Sequence, residues 1–384
     1  MQIHDKDDSL FVHDDLLSAL NEQRPLREKL ISAHNALKRT HDFIARIAIA
    51  LYDTETHILK TFLHSSGNDT PLKNYQALLD DAPSLKEILR MGKPRVVNKL
   101  VTFDDGKHEH TQRIGRQGYA ASYTLPIFNN GVFIGFIFFN SYQSDVFEEK
   151  TLNELDIYGH LISLMVINEI SNIKTLSAAI ATTSSFTHFR DPETGSHLDR
   201  MSRYSRLIAK ALADKYNLND EYIEHVFMFS PLHDIGKVAI PDNILLKNGK
   251  LNEEETSIMH QHPSLGRQML DKLIENFGLG DLNHITLLKN IAEYHHEAVN
   301  GSGYPKGLKR DVIPLEARIV AVADVFDALT SKRPYKEAWT NQEAIDTLKT
   351  LSDETLDRDC VEALINRMDE VEEIQKKFRE DSLG

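Results

Sequence analysis

His233 and Asp234 stand side by side in PLHDIGK, and His295 and His296 stand side by side in YHHEAVNGSGYP. A neutral imidazole next to a carboxylate suits divalent cations of borderline and hard character. One His-Asp pair says little by itself, because a buried histidine beside a capping aspartate is commoner. The rest of the chain changes that balance. His262 lies in HQHPSLG, and Asp324 lies in AVADVFDAL, an apolar helix where a carboxylate is costly unless paired or metal-bound. Glu193 and His197 in DPETGSH are spaced i, i+4, which puts them on one face if that segment is helical. Five histidines and three carboxylates exceed what one mononuclear site can use. They suit two or three metal ions sharing a bridging carboxylate.

Such a cluster has a definite chemistry. Grouped cations lower the pKa of a bound water toward neutrality and so provide a hydroxide nucleophile. They also neutralise an anionic phosphodiester and the charge that develops on it. No serine, nor the one cysteine, Cys360, sits in a nucleophile motif, so covalent catalysis is disfavoured.

These residues must be held by helices. From residue 195 onward helical periodicity dominates: 204–216, 222–236, 252–276, 284–296, 315–332 and 341–380 each read as helix. The N-terminal part differs. Residues 10–40 read as helical. FIARIAIALYD (43–53) and HILKTFLHSS (57–66) read as strands, and SLKEILRMGK (84–93) as a short helix. SYTLPIF and GVFIGFIFFNS read as a hairpin joined at Asn129-Asn130. A helix over 150–186 follows, with apolar residues recurring every three to five positions. Such a helix leaving one domain suits parallel pairing in a homodimer and passage of a signal.

Composition bounds the rest. The 384 residues suggest two domains. With 44 Lys and Arg against 58 Asp and Glu, the net charge of −14 argues against binding nucleic acid polymers or anionic membranes non-specifically. A small anionic substrate remains open, because bound metal supplies local positive charge. The absence of a disulfide framework fits a reducing cytoplasm. The acidic N-terminus does not read as a signal peptide, and no apolar run is long enough to span a bilayer.

Five stretches in order carry a family resemblance: RDPETGSHLDRM, HDIGKVAIPDNILLKNGKL, HPSLG, HHEAVNGSGYPKGL and RIVAVADVFDALTSKRPYK. Together they resemble the HD-GYP family of bacterial cyclic dinucleotide phosphodiesterases. The resemblance implies an all-α HD-type bundle over 171–384. It also implies metal ligation by Glu193, His197, His233, Asp234, His262, His295, His296 and Asp324, with Asp234 bridging. Glu193 points to the trinuclear, iron-containing branch; manganese is the second candidate ion. Lys237 would hold a phosphate and protonate the leaving oxygen, making it catalytic together with Asp234. Tyr304, Arg333 and Lys336 would contact substrate. Cyclic di-GMP is the first expected substrate, giving pGpG and, after a second cut, GMP. Cyclic GMP-AMP, a non-catalytic receptor and another HD hydrolase are the alternatives.

Residues 122–141, with the helical stretch that follows, resemble the closing hairpin and C-terminal helix of a GAF domain. That resemblance implies an α+β sensory domain over 41–170, an antiparallel sheet with flanking helices, behind a helical segment at 1–40. The ligand of that domain is open, as is a signalling protein partner.

Overall fold

The computed structural model describes residues 13–22, 24–67, 72, 75–99, 118–186, 195–277, 284–331 and 338–379. The chain divides into two compact units, one over Met1–Leu72 and Gln76–Ile167, the other over Lys73–Tyr75 and Asn168–Gly384. The expected fold class, an α+β unit followed by a helical one, is the class observed.

The first unit is a six-stranded antiparallel sheet, ordered β3-β2-β1-β6-β5-β4. Its strands are β1 (Ile44–Asp53), β2 (Ile58–Ser65), β3 (Gln76–Leu78), β4 (Arg95–Val97), β5 (Ala121–Asn129) and β6 (Val132–Ser141). Runs rich in Ile, Phe, Tyr and Thr favour this pleated, half-buried state. β1 lies between β2 and β6, with Ile47 facing Ser65 on one side and Phe139 on the other. The β5–β6 turn falls one residue later than expected. Asn129 pairs with Val132, so the loop is Asn130-Gly131, and both residues have positive φ as a tight hairpin turn of this kind requires. Helix α1 (Leu26–Lys38) is shorter than the expected 10–40 segment, with Pro25 immediately before its first residue. The short helix read at 84–93 is α2 (Pro83–Met91).

α1 is tied to the sheet by a buried imidazole. His34 Nε2 donates to the Ile44 carbonyl at 2.8 Å, and Nδ1 accepts from the Ser65 hydroxyl at 2.7 Å. Burial pushes His34 down to about 4, and burial with nearby Arg46 and Arg27 does the same to His64. The unfolded chain takes up these protons near pH 6.5, whereas the native unit resists them until about pH 4. Stability is therefore complete above pH 6.5 and falls as the pH drops from 6.5 toward 4. For His34 alone the loss at pH 5 is about 2 kcal/mol. Amide exchange of peptides from β1 and α1, corrected for intrinsic pH effects, should show this loss between pH 7 and pH 5. His34→Gln should remove about half of it. Equal protection at both pH values would rule the effect out.

The helix expected over 150–186 is α3 (Glu149–Phe186). No helix among the described residues is long and apolar enough to cross a membrane.

The second unit is helical. Its elements are α4 (Gly195–Ala211), α5 (Asp220–Phe229), α6 (Asp242–Leu245), α7 (Glu253–Met259), α8 (His262–Asn276), α9 (Ile285–Tyr294), α10 (Leu315–Thr330), α11 (Asn341–Leu351), α12 (Arg358–Ile365) and α13 (Met368–Lys377). Its core includes Tyr204, Ile208, Phe229, Leu270, Leu288, Ile319, Phe326 and Leu364. Three expected helices are broken. The 222–236 stretch ends as α5 at Phe229 and continues as two 3-10 turns, Ser230–Leu232 and Ile235–Ala239. The 252–276 stretch breaks at His260-Gln261 ahead of Pro263, and 341–380 becomes α11 to α13. The first two breaks lie at the site.

Candidate metal centre

The break after α5 puts His233 and Asp234 on a sharp corner between the two 3-10 turns, not on a helix face. His262 is the first residue of α8, and His295 is the residue that ends α9. His197 comes from α4 and Asp324 from α10. Helix ends and a corner thus aim most of these side chains inward. Seven of the eight expected metal ligands fall into two groups. Asp234, His262, His295 and His296 form one, and His197, His233 and Asp324 the other, with ligand atoms in each lying within 4.8 Å of one another. His233 and Asp234 are neighbours in sequence, so one corner serves both groups. Glu193, Arg333 and Lys336 lie outside the described residues.

The hydrogen bonds fix which ring nitrogens face the centre. His233 Nδ1 donates to the Ser230 carbonyl at 2.9 Å, His262 Nδ1 to Met259 at 2.8 Å and His295 Nδ1 to Ile291 at 3.0 Å. A carbonyl oxygen only accepts, so Nδ1 carries the proton in each neutral ring and Nε2 carries the lone pair. Those three Nε2 atoms lie 3.2, 3.0 and 3.3 Å from the Asp234 carboxylate. Buried Nε2 atoms of His262 and His295, and Asp234 Oδ1, make no hydrogen bond of good geometry. Acceptors facing an acceptor repel unless a cation lies among them.

Protons on the rings are a poor answer. Burial holds His295 below its ordinary range, and burial together with His295 holds His296 well below it. Asp234 is held down as well, against what burial does to a carboxyl. Burial would raise it, but the Lys237 ammonium counters burial and holds it well down, so it stays a carboxylate. The donor set of neutral imidazoles and carboxylates therefore fits divalent metal ions.

The Lys237 ammonium sits 2.6 Å from Asp234 Oδ2. Tyr304 lies over the histidines: its ring stacks on His260 at 3.8 Å and on His296 at 4.8 Å. Burial, with Asp234 nearby, keeps its hydroxyl protonated well above the ordinary range. The GSGYP loop folds tightly onto the backbone of residues 296–298 because Gly303 has no side chain. A Cβ there would lie 2.2 Å from the Ala298 nitrogen.

Three residues at the site were missed in the sequence. Glu297 is buried and accepts from the Lys306 and Leu308 amides, both at 2.7 Å, which holds the loop carrying Tyr304. Its place directly after His295-His296 was the available signal. Asp327 is fully buried and bonds His197 Nδ1 at 2.8 Å, and Arg200 chelates it. Asp327, like Asp324 three residues before it, is a carboxylate on an apolar helix, and that was its signal in the sequence. His260 stands beneath Tyr304 rather than among the ligands, and nothing in the sequence distinguished that role.

Residues 193–360 match the family model described as HD domain. The cyclic di-GMP phosphodiesterase response regulator RpfG of Xanthomonas campestris pv. campestris is 45% identical over 190 residues, covering 50% of this chain and 47% of that protein. The 3′3′-cGAMP-specific phosphodiesterase 2 of Vibrio cholerae is 36% identical over 230 residues, covering 58% of this chain and 42% of that protein. The chain thus spans about half, or less, of the length of these curated relatives. It is also similar to the solved GAF domain/HD domain protein of Geobacter sulfurreducens (15% identity, 37% of this chain, 92% of that one, TM-score 0.30). Residues 193–360, where the two histidine and carboxylate groups meet at the His233-Asp234 corner, are thus similar to the HD domain family.

Proposed function

We propose that the chain is a metal-dependent phosphodiesterase that hydrolyses a 3′–5′ cyclic dinucleotide, cyclic di-GMP first, to pGpG and then GMP. The observation that carries this reading is the shared corner: two ligand groups meet at His233-Asp234, with the Lys237 ammonium on the same carboxylate. Bound divalent ions would supply Lewis acidity and an activated water at neutral pH. His197, His233, Asp234, His262, His295, His296 and Asp324 would hold two of them, and Glu193 would bring a third, with iron first and manganese second. Lys237 would contact a substrate phosphate and return a proton to the leaving oxygen. Tyr304, with its hydroxyl kept protonated, would donate to the substrate, and Arg333 and Lys336 would grip its phosphates.

Residues 41–170 act as the sensory domain and 171–384 as the catalytic one. A homodimer along α3 is supported by Ile157 and Leu164, two apolar side chains seven residues apart that are 70% and 64% exposed.

A second reading, preference for cyclic GMP-AMP, is favoured by the Vibrio cholerae relative specific for that ring. Anaerobic purification with metal quantification, followed by chromatography of products from cyclic di-GMP, cyclic GMP-AMP and a deoxynucleoside triphosphate, separates the cases. We expect at least two metal equivalents and pGpG as the first product. Turnover of the triphosphate alone would replace the reading by another HD hydrolase. Metal-free protein that turns over none of the three would remove the enzyme altogether.

A further inference from the structure

His233, His262 and His295 are each oriented by a backbone carbonyl, which no substitution can remove. His197 is oriented by a side chain. Asp327 lies one turn beyond Asp324 on α10, and its Oδ2 is 2.8 Å from His197 Nδ1. Arg200, one turn from His197 on α4, donates Nε to Asp327 Oδ1 at 2.7 Å and Nη2 to Oδ2 at 3.0 Å. The Ser331 hydroxyl adds a bond to Oδ2 at 2.9 Å. Arg200 is itself fixed by the Phe378 carbonyl, at 2.9 Å from Nη1.

A carboxylate clasped by a guanidinium fork and a hydroxyl accepts and does not donate. The proton between it and His197 therefore sits on Nδ1. The lone pair is left on Nε2, which lies 3.9 Å from Asp324 Oδ1 and within the group that contains His233. Burying an aspartate and an arginine together is a weak route to stability, since desolvation offsets most of the attraction. It is an effective way to hold one ring in one tautomer and to raise its basicity toward a metal.

We propose that Asp327, backed by Arg200, is the positioning residue that makes His197 a metal ligand, and that the occupancy of the His197, His233 and Asp324 group depends on it. This inference rests on the metal-site reading above and deepens it. Asp327→Asn keeps the shape but offers an amide N–H to Nδ1. The ring would answer by moving its proton to Nε2, which then cannot ligate. One class of sites should lose metal affinity by about 10- to 100-fold.

The test uses the whole 384-residue chain stripped with a chelator. Nitrogen-15 histidine spectra, with the His197 signal assigned by comparison with His197→Gln, report the tautomer directly. Calorimetric titration with Mn²⁺ reports the sites. We expect the Nδ1–H tautomer in the wild type, the Nε2–H tautomer in Asp327→Asn, and one weakened site in that variant. An Nε2–H tautomer in the metal-free wild type would overturn the inference. So would a folded Asp327→Asn protein that binds Mn²⁺ as the wild type does. If the variant does not fold, the wild-type tautomer still decides. If the wild type binds no Mn²⁺, the metal-site reading fails while the tautomer remains a separate result.

Discussion

Asp234→Ala is expected to strip metal from the protein and to cut cyclic dinucleotide hydrolysis by about a thousandfold or more. The magnitude follows from removing metal-supplied charge stabilisation of about 4 kcal/mol, at a factor of ten per 1.4 kcal/mol. The choice of Asp234 follows from geometry. Its carboxylate stands 3.0 to 3.3 Å from the Nε2 atoms of His233, His262 and His295, and 2.6 Å from the Lys237 ammonium. Alanine would leave His262, His295 and His296 without the carboxylate of their group.

The same variant has a readout that needs no substrate. A ligand that binds only the folded state stabilises it by about 2.7 kcal/mol at a hundred times its dissociation constant. Wild-type protein should melt higher when Mn²⁺ is added, and Asp234→Ala should not respond. Asp234→Asn, which keeps the volume, should resemble alanine rather than wild type, because charge and not shape is what the corner provides. A variant that kept both its activity and its metal-dependent melting would show that the centre lies elsewhere.

The site was more legible than the path that builds it. Residue types and order were enough to single out His197, His233, Asp234, His262, His295, His296 and Asp324 as candidates that the fold brings into two groups, because the side chains able to hold a metal are few in kind. Local backbone was less legible. Phe229, Leu232 and Ile235 recur at helical spacing, so the stretch reads as one helix, yet Pro231 and the demands of the corner turn it into two 3-10 segments. Supporting residues were the least legible. Glu297, Asp327 and His34 act through partners 9, 130 and 10 residues away, and no local pattern records such pairings. The hairpin of β5 and β6 was read correctly because its alternation and its turn both lie within a short window. The turn slipped by one residue, since Asn129, Asn130 and Gly131 all suit a loop.

The corner also depends on a position with no side chain, and this gives the second large expected effect. Gly236 lies in the 3-10 turn directly after Asp234. A Cβ placed there would stand 1.8 Å from the His262 carbonyl oxygen and 2.5 Å from the Gly266 nitrogen. Both are backbone atoms of the first turn of α8, so no rotamer change relieves the contact. Gly236→Ala must push that turn away, and His262 is its first residue. Its Nε2 would leave the 3.0 Å approach to Asp234, whereas metal coordination tolerates errors of only about 0.2 Å. The expected outcome is a loss of about 1–3 kcal/mol in stability, as for other overpacked cores, together with loss of metal from the Asp234, His262, His295 and His296 group. Gly266→Ala is the matched control on the opposite face of the same contact. Its Cβ would meet Gly236 N and Ile235 Cγ2 at 3.2 Å, a tight contact that asks for a shift of a few tenths of an ångström rather than the more than 1 Å that Gly236→Ala demands. Melting curves and metal content of the two variants should therefore differ, with Gly266→Ala clearly the milder. If Gly236→Ala matched it in both, the packing of α8 against the metal corner would not be what positions His262.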